Sequence, residues 1–326
     1  MTTPATTPTI ALLFPGQGSQ SVSMGRAFHD AHPAARAVFE EADDALGFSL
    51  SDIIFNGPED TLKLTEHTQP AILTVSIAAL RVLEPELRAR NLAIAFAAGH
   101  SLGEYSAHVA ARTLSFADAV RTVRLRGQYM QSAVPAGEGA MAAILGLPIA
   151  TIEAACTAVT AELAPEVVAT ANLNSPDQTV ISGSKAAVEL ASERCKELGA
   201  KRAVMLPVSA PFHCPLMMPA QNQLAAQLAF IPFHDPAFPV ACNVDARLLT
   251  TGDAVRDALI RQVTGAVRWV DCIGLLRQFG ATNYIEVGPG KVLTGLNRQI
   301  DRALATTNVE DPASLEKTLL SLSPAS

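Results

Sequence analysis

Residues 97–107 read AAGHSLGEYSA and place Ser101 between Gly99 and Gly103. The apolar run LAIAFAA at 92–98 leads into this segment, and the helix-forming EYSAHVAA continues it. Gly-X-Ser-X-Gly between a buried strand and a helix is the pattern of a nucleophile elbow, whose sharp turn exposes the serine hydroxyl. The N-terminus of the helix behind it favours developing negative charge. The segment predicts an α/β fold with Ser101 as nucleophile; a serine in an ordinary tight turn is the alternative.

Short apolar runs alternate with segments of helical periodicity in the first part of the chain. The run IALLF at Ile10–Phe14 stops at a Pro-Gly pair, as a buried strand does when it enters a loop. Apolar residues then recur at helical spacing from Ala31 to Leu46 and from Gln69 to Leu83, before the second strand-like run at 92–98. This order predicts a parallel sheet covered by helices.

The region from residue 134 to residue 206 has a different order of elements. It reads as strand, helix, strand pair, helix and strand, which is the ferredoxin-like order. We therefore predict a hydrolase-like core at 8–133 and 207–310 that carries nucleophile and base, with a smaller ferredoxin-like α+β subdomain inserted at 134–206. Residues 1–7 and 311–326 are predicted to be terminal segments.

The composition is that of a globular chain of 326 residues, with 49% apolar and 17% charged residues. A net charge of −7 argues against a general nucleic-acid binder, which needs clustered Lys and Arg. The longest run without acidic or basic residues, 203–233, is interrupted by prolines and is not expected to span a membrane. The N-terminus lacks the pattern of a signal peptide. Five cysteines, far apart and without metal-binding spacing, indicate reduced thiols in a cytoplasmic protein.

A serine hydroxyl becomes a good nucleophile only when a positioned base accepts its proton. Among the seven histidines, His213 lies in the loop SAPFHCPLMMP after the strand-like VMLPVS, where an α/β site would place its base. His234 stays open as an alternative. His100 adjoins the serine, but we expect its side chain to point away from that of Ser101 and to have a packing or orienting role.

Further segments give the chain a resemblance to the malonyl-CoA:acyl carrier protein transacylases of fatty acid synthesis. The matching motifs follow the family's order and span nearly the whole chain. They are FPGQGSQ at 14–20, GHSLGEYSA at 99–107, RLRGQYMQ at 124–131, NSPDQTVISG at 174–183, PVSAPFHCPLM at 207–217, RQV at 261–263 and EVGPGKVLTGL at 286–296. Several ordered motifs are far more specific than the elbow alone.

The resemblance implies an acyltransferase in which each chemical step has a residue. Ser101 would attack the thioester carbonyl of malonyl-CoA, and His213 would act first as general base and then as general acid. The backbone N–H groups of Gln17 and Leu102 would bind the oxyanion of the tetrahedral intermediate. The family uses a backbone carbonyl in place of a third acidic residue, so Gln262 should lie beside His213 and help to hold its tautomer.

The resemblance also implies how the acyl group is recognised. Arg126 would form a bidentate pair with the free carboxylate of malonate, a geometry that a guanidinium supplies and a lysine does not. Phe212 would crowd a branch at the α-carbon and so disfavour methylmalonyl-CoA. Without the resemblance, a surface cation is the default for Arg126 and core packing is the alternative for Phe212.

The implied partners are malonyl-CoA and an acyl carrier protein, whose phosphopantetheine thiol would accept the malonyl group in a ping-pong cycle. No cofactor, metal, nucleic acid or membrane is expected, and we expect a monomer. Carrier proteins are acidic, so docking on this acidic chain needs a local basic patch. Lys201 and Arg202 are the candidates, with an ordinary solvated helix end as the alternative. A polyketide carrier protein stays open.

Two other classes of protein compete with this interpretation. An α/β-hydrolase esterase would use the same elbow with an acid such as Asp118 or Asp177 after the nucleophile, but it would give Arg126 no role. A non-catalytic module that binds carrier proteins would not need Ser101, His213 and Arg126 together.

Overall fold

A computed structural model gives the structure of residues 8–208 and 210–322. The strands in this part of the chain are β1 (Ile10–Phe14), β2 (Ile94–Gly99), β3 (Gly139–Leu145), β4 (Val168–Ser175), β5 (Gln178–Ser184), β6 (Arg202–Met205), β7 (Val240–Ala241), β8 (Leu248–Leu249), β9 (Asn283–Val287) and β10 (Ala305–Val309). They form one sheet in the order β10-β9-β1-β2-β7-β8 and a second in the order β4-β5-β3-β6.

The larger sheet is parallel except for its last pair. β1 pairs in parallel with β2 and β9, β9 with β10, and β2 with β7, whereas β8 runs antiparallel to β7. Every residue of β1 is buried, as expected for a central strand covered on both faces. The register pairs Phe14 with Gly99, so the loops that follow β1 and β2 leave the sheet side by side.

Helices surround both sheets. Those of the described chain are α1 (Arg26–Ala31), α2 (Pro33–Leu46), α3 (Leu50–Asn56), α4 (Glu59–Lys63), α5 (Thr65–Ala89), α6 (Gly103–Ala110), α7 (Phe116–Ser132), α8 (Ile149–Glu162), α9 (Lys185–Glu197), α10 (Met218–Leu228), α11 (Gly252–Gln262), α12 (Trp269–Gln278), α13 (Val292–Ile300) and α14 (Pro312–Leu322), with a short 3₁₀ helix at Pro215–Met217. α2 starts two residues later than predicted, because Pro33 occupies the first turn of a new helix. α5 is longer than the predicted 69–83, since buried residues continue to Leu87.

The predicted fold class is confirmed. β3, α8, β4, β5, α9 and β6 follow one another in the ferredoxin-like order, and all three pairings of their sheet are antiparallel. This smaller sheet packs its own apolar cluster against α8 and α9, which includes Ile144, Ile152, Val188 and Ile181. We propose on this basis that 134–206 is a subdomain of its own, set between the two parts of the core.

The end of the described chain is a helix that packs on the core. α14 follows β10 directly, and its Leu315, Leu319 and Leu322 belong to the main apolar cluster. We therefore propose to count this helix with the core. Residues 1–7 and 323–326 lie outside the described chain. Among the described helices, none has both the length and the apolar character needed to cross a membrane.

Candidate active site

Ser101 lies at the turn between β2 and α6 with a φ of 51°, in the left-handed region that residues other than glycine rarely adopt. Two hydrogen bonds hold this backbone: its N–H donates to Asn243 Oδ1 at 2.7 Å, and Gln262 Nε2 donates to its carbonyl oxygen at 2.9 Å. A Cβ on Gly99 would overlap the backbone of Gly103. The turn therefore has the geometry of a nucleophile elbow, in which the glycine is required for close packing.

His213 is held between the serine hydroxyl and the backbone. Its Nε2 lies 2.7 Å from Ser101 Oγ, and its Nδ1 lies 2.9 Å from the carbonyl oxygen of Gln262 and 3.2 Å from that of Gly265. Carbonyl oxygens only accept, so Nδ1 carries the proton and Nε2 accepts the serine O–H. Burial, and next the charge of Arg126, lower the pKa of His213 to about 3. The imidazole is neutral at pH 7 and is ready to take a proton from the serine.

Arg126, on α7, brings a positive charge to the same point although only 1% of its surface is exposed. Its Nη1 donates to Gln69 Oε1 at 2.8 Å, and its Nη2 donates to Gln262 Oε1 at 2.9 Å and to Ser101 Oγ at 3.1 Å. All these acceptors are neutral, and Nε has no hydrogen-bond partner within the described residues. Burial lowers the pKa of Arg126, but an arginine pKa starts so high that the guanidinium stays charged at pH 7.

Ser101, His213 and Arg126 face one cavity of about 150 Å³. Its other lining residues are Gln17, Gln69, His100, Met130, Met141, Asn172, Leu206, Val208 and Phe212. Met141 and Asn172 come from β3 and β4 of the smaller sheet, so the cavity lies between the two sheets. The Phe212 ring is 9% exposed and packs with the main apolar cluster while it faces this space.

Two backbone N–H groups beside the serine are free of acceptors within the described residues. The N–H groups on either side of Leu102 are used, since that of Ser101 donates to Asn243 and that of Gly103 to the carbonyl oxygen of His100. The N–H of Leu102 itself has no such partner. Gln17 follows Gly16, whose Cα packs so closely on the carbonyl of His100 that a Cβ there would overlap it. The loop after β1 thus packs on the elbow, and Gln17 lines the same cavity as Ser101.

The remaining sequence candidates lie apart from this cavity or have other partners. Lys201 and Arg202 are exposed at the start of β6 and do not line the cavity. Asp118 accepts from Ser115 at the N-terminus of α7, and the carbonyl of Asp177 accepts from a turn N–H, so the described partners of His213 include neither acid. His100 bonds Asn174 Oδ1 through Nε2 at 2.8 Å, yet it lines the cavity beside Ser101, which the sequence did not predict.

Sequence reasoning missed Asn243, Gln69 and Glu104. Asn243 follows β7, whose two residues are too few to show a strand pattern, although the carboxyl end of a parallel strand is where such a residue is expected. Gln69 lies inside α5, and no local signal distinguishes its amide from a surface one. Glu104 lies inside the elbow motif, and no local signal shows that its side chain is buried. Among the described residues no cluster of three or more His, Cys, Asp or Glu is arranged to hold a metal ion.

Comparison with known proteins identifies a family and similar structures. Residues 11–311 match the family described as acyl transferase domain. The malonyl CoA-acyl carrier protein transacylase of Escherichia coli (strain K12) is 48% identical over 311 residues, which cover 95% of this chain and 98% of that protein. The crystal structure of an acyl-carrier-protein S-malonyltransferase from Burkholderia pseudomallei 1710b superposes with a TM-score of 0.90 at 47% identity, covering 96% of this chain and 99% of that chain.

A further solved structure contains a partner. It is a malonyl-transacylase in complex with its type II PKS acyl-carrier protein, 44% identical with a TM-score of 0.90, and the match covers 96% of this chain and 99% of that chain. The fold and the family match define an acyltransferase. The chain belongs to the acyl transferase family, and its resemblance to the malonyl-CoA:acyl carrier protein transacylases is confirmed.

Proposed function

We propose that this acyltransferase moves the malonyl group from malonyl-CoA to the phosphopantetheine thiol of an acyl carrier protein and so supplies fatty acid synthesis. The observation that carries the proposal is the buried guanidinium of Arg126, 3.1 Å from the serine oxygen and bonded only to neutral acceptors. A buried guanidinium that is hydrogen-bonded to no carboxylate is costly, and a carboxylate is the partner that a guanidinium binds best. A malonyl group bound at Ser101 would bring such a carboxylate.

In the first half of the proposed cycle, His213 Nε2 accepts the Ser101 proton as Oγ attacks the thioester carbonyl. The carbonyl oxygen becomes an oxyanion, which accepts hydrogen bonds from the N–H groups of Gln17 and Leu102. When the intermediate collapses, the carbon–sulfur bond breaks and the imidazolium returns its proton to the sulfur of CoA. The carbonyl of Gln262 holds Nδ1–H throughout, so the ring keeps one orientation.

In the second half, the thiol of the carrier protein replaces CoA in the cleft. His213 accepts the thiol proton while the sulfur attacks the malonyl ester on Ser101, and the same N–H groups receive the oxyanion. The carbon–oxygen bond then breaks, and the proton passes from His213 to Ser101 Oγ. Serine and histidine end as they began, and no metal or further cofactor enters the scheme.

Phe212 is proposed to exclude a methyl branch at the α-carbon of the acyl group. Phe212 lines the cavity together with His213 and also packs with the main apolar cluster, so its ring is fixed beside the bound acyl group. We expect Phe212→Ala to raise methylmalonyl transfer relative to malonyl transfer by about tenfold, because the removed ring leaves space for a methyl group. An unchanged ratio in competition assays would leave Phe212 with a packing role only.

The carrier protein is proposed to dock near Lys201 and Arg202. Both side chains are exposed, neither has a carboxylate within ion-pair distance in the described chain, and Leu206 of the same segment lines the cavity. We expect the Lys201→Ala/Arg202→Ala variant to raise the KM for carrier protein and to flatten its salt dependence, with unchanged acylation by malonyl-CoA. Arg194→Ala is the matched control, because Arg194 on the same subdomain is already paired with Glu162. An equal effect in both variants would contradict this docking surface.

We also propose that the protein acts as a monomer in the cytoplasm. The cytoplasmic location is supported by the five cysteines, which are all free and buried.

The proposed function is tested by malonyl transfer to purified holo carrier proteins of fatty acid and of polyketide synthesis. We expect parallel-line, ping-pong kinetics with malonyl-CoA and the fatty acid carrier protein, and much slower transfer of acetyl groups. Cleavage of simple esters without transfer to either carrier would show a hydrolase instead. Faster transfer to the polyketide carrier would keep the chemistry and change the pathway.

A further inference from the structure

A carboxylate without a role in the proposed cycle lies directly behind the nucleophile. Glu104 is the second residue of α6, and its side chain is fully buried and does not line the cavity. Burial of a carboxylate costs free energy of folding unless hydrogen-bond donors surround it. Its hydrogen-bond partners therefore indicate its role.

One oxygen of this carboxylate connects the groups that hold the reacting residues. Glu104 Oε2 accepts from the backbone N–H of Asn243 at 3.0 Å and from Gln262 Nε2 at 2.8 Å. Asn243 Oδ1 accepts the N–H of Ser101 at 2.7 Å, and Gln262 Oε1 accepts from Arg126 Nη2 at 2.9 Å. The same oxygen is therefore hydrogen-bonded both to Asn243, which holds the elbow, and to Gln262, which holds the guanidinium.

The carboxylate also determines which way the Gln262 side chain faces. Glu104 Oε2 accepts the N–H of Asn243 and also accepts from the NH₂ group of Gln262, so the amide oxygen of Gln262 faces Arg126, which has only donors. The opposite orientation would set an oxygen against the carboxylate and an NH₂ group against the guanidinium. The other carboxylate oxygen, Oε1, has no hydrogen-bond partner among the described residues and lies 3.9 Å from His108 Nε2. Glu104 therefore contacts the residues of the site through Oε2 alone among the described hydrogen bonds.

We propose that Glu104 is a positioning residue: through Gln262 and Asn243 it fixes the guanidinium of Arg126 and the elbow of Ser101 for an acyl group that carries a carboxylate. This inference rests on the proposed function, because it assigns a cause to the selection of malonyl over acetyl groups. It predicts that the place of the carboxylate oxygen matters more for this selection than the charge.

Two substitutions separate the effect of the position of the Glu104 oxygen from the effect of the carboxylate charge. Glu104→Asp keeps the charge but withdraws the oxygen by one methylene group from Asn243 and Gln262. Glu104→Gln keeps an acceptor oxygen at the position of Oε2 and turns its NH₂ group toward His108, whose ring nitrogens have no hydrogen-bond partner in the described chain. The matched control is Glu286→Asp, because Glu286 is also fully buried but accepts from the N–H groups of Leu293 and Thr294 at the start of α13.

The measurement is the ratio of kcat/KM for malonyl-CoA to that for acetyl-CoA, which a loss of folded protein leaves unchanged. We expect the ratio to fall about tenfold or more in Glu104→Asp, because a displacement of about 1 Å is costly in a positioned site. It should stay within about threefold of wild type in Glu104→Gln, where the hydrogen bonds are kept. It should not change in Glu286→Asp.

Other outcomes overturn the inference. A ratio that does not change in Glu104→Asp, or that falls as far in Glu104→Gln, contradicts a positional role for the oxygen. A wild-type enzyme that does not transfer malonyl groups at all would instead remove the proposed function, and it would do so before any variant is compared.

Discussion

Arg126 donates a hydrogen bond to Gln262 and Arg261 directly precedes Gln262 in the chain, but the surroundings of the two arginines are opposite. Arg261 forms a bidentate pair with Asp245, at 2.8 and 2.6 Å, and its Nε donates to Asp257 at 2.8 Å. Both carboxylates raise the pKa of Arg261, and the hydrogen-bonded carboxylate of Asp245 has the largest effect. Arg126 is more deeply buried, is bonded to neutral oxygens and has its pKa lowered by burial.

The difference distinguishes a structural cation from one that is prepared for a ligand. Arg261 has its counter-charges within the chain, so it has little to gain from an anion in solution. Arg126 is held in place by Gln69 and Gln262, which orient the guanidinium without neutralising it. A carboxylate that enters the cavity is expected to pair with the guanidinium directly, because no carboxylate of the described chain is hydrogen-bonded to it.

The largest effect on this comparison is expected from Arg126→Ala. Loss of a buried, charge-assisted pair should lower kcat/KM for malonyl-CoA about 100-fold, because such a hydrogen bond contributes up to about 3 kcal/mol. Acetyl-CoA has no carboxylate to lose, so its kcat/KM should change much less. Steady-state kinetics with both thioesters measure this. Equal losses for the two substrates would show that Arg126 supports the fold or the serine and does not bind the carboxylate.

Arg126→Lys sharpens the same point, because it keeps the charge and removes the planar pair of donors. We expect about a tenfold loss of kcat/KM for malonyl-CoA, smaller than that in Arg126→Ala, since an ammonium pairs with a carboxylate at one point only. Activity at the wild-type level would mean that a positive charge alone is enough to bind the carboxylate, and that the orientation of the guanidinium by Gln69 and Gln262 does not affect kcat/KM.

Arg126 also acts on His213, and this gives a smaller, pH-dependent effect. The pKa of His213 is about 3 in the fold and is expected near its ordinary value of about 6.5 in the unfolded chain. The neutral ring therefore contributes stability that is fully present above about pH 6.5 and is lost as the pH falls toward about 3. Activity should be flat from neutral pH into mild acid. Arg126→Ala should raise the pKa of His213 and move the acid limb of acetyl transfer to higher pH; an unmoved limb would contradict this coupling.

The smallest effect is expected from Arg261→Ala, the control for all three. Its side chain is 36% exposed, so its ion pairs are screened by water and should contribute at most about 1 kcal/mol to the free energy of unfolding. The malonyl-to-acetyl ratio should not change. A change in that ratio would show that the two arginines are coupled through Gln262, and the comparison would no longer separate structure from binding.

Much of the fold was readable from the sequence because it depends on local patterns. The buried strands β1 and β2, the two long helices and the ferredoxin-like order all have a clear hydrophobic period or turn signal. β7 and β8 have two residues each, which is too short for any period to be visible. α14 was predicted only as a terminal segment, although Leu315, Leu319 and Leu322 recur at helical spacing.

The residues of the site also fall into those with a local sequence pattern and those without one. The elbow has its own sequence signature, and the motif order of the family pointed to His213, Arg126 and Gln262. The residues that hold them could not be predicted, because they are distant in sequence: Asn243 bonds Ser101 across 142 positions. Such contacts depend on how strands and helices pack, and no local pattern in a single sequence predicts this packing.

The central claim is that Ser101 takes up a malonyl group that Arg126 selects. It is tested most directly by the intact mass of the protein after brief exposure to an equal mixture of malonyl-CoA and acetyl-CoA. We predict one malonyl adduct on wild type, none on Ser101→Ala, and an adduct population shifted toward acetyl on Arg126→Ala. A malonyl adduct that persists on Ser101→Ala, or equal malonyl and acetyl labelling of wild type, would contradict the account.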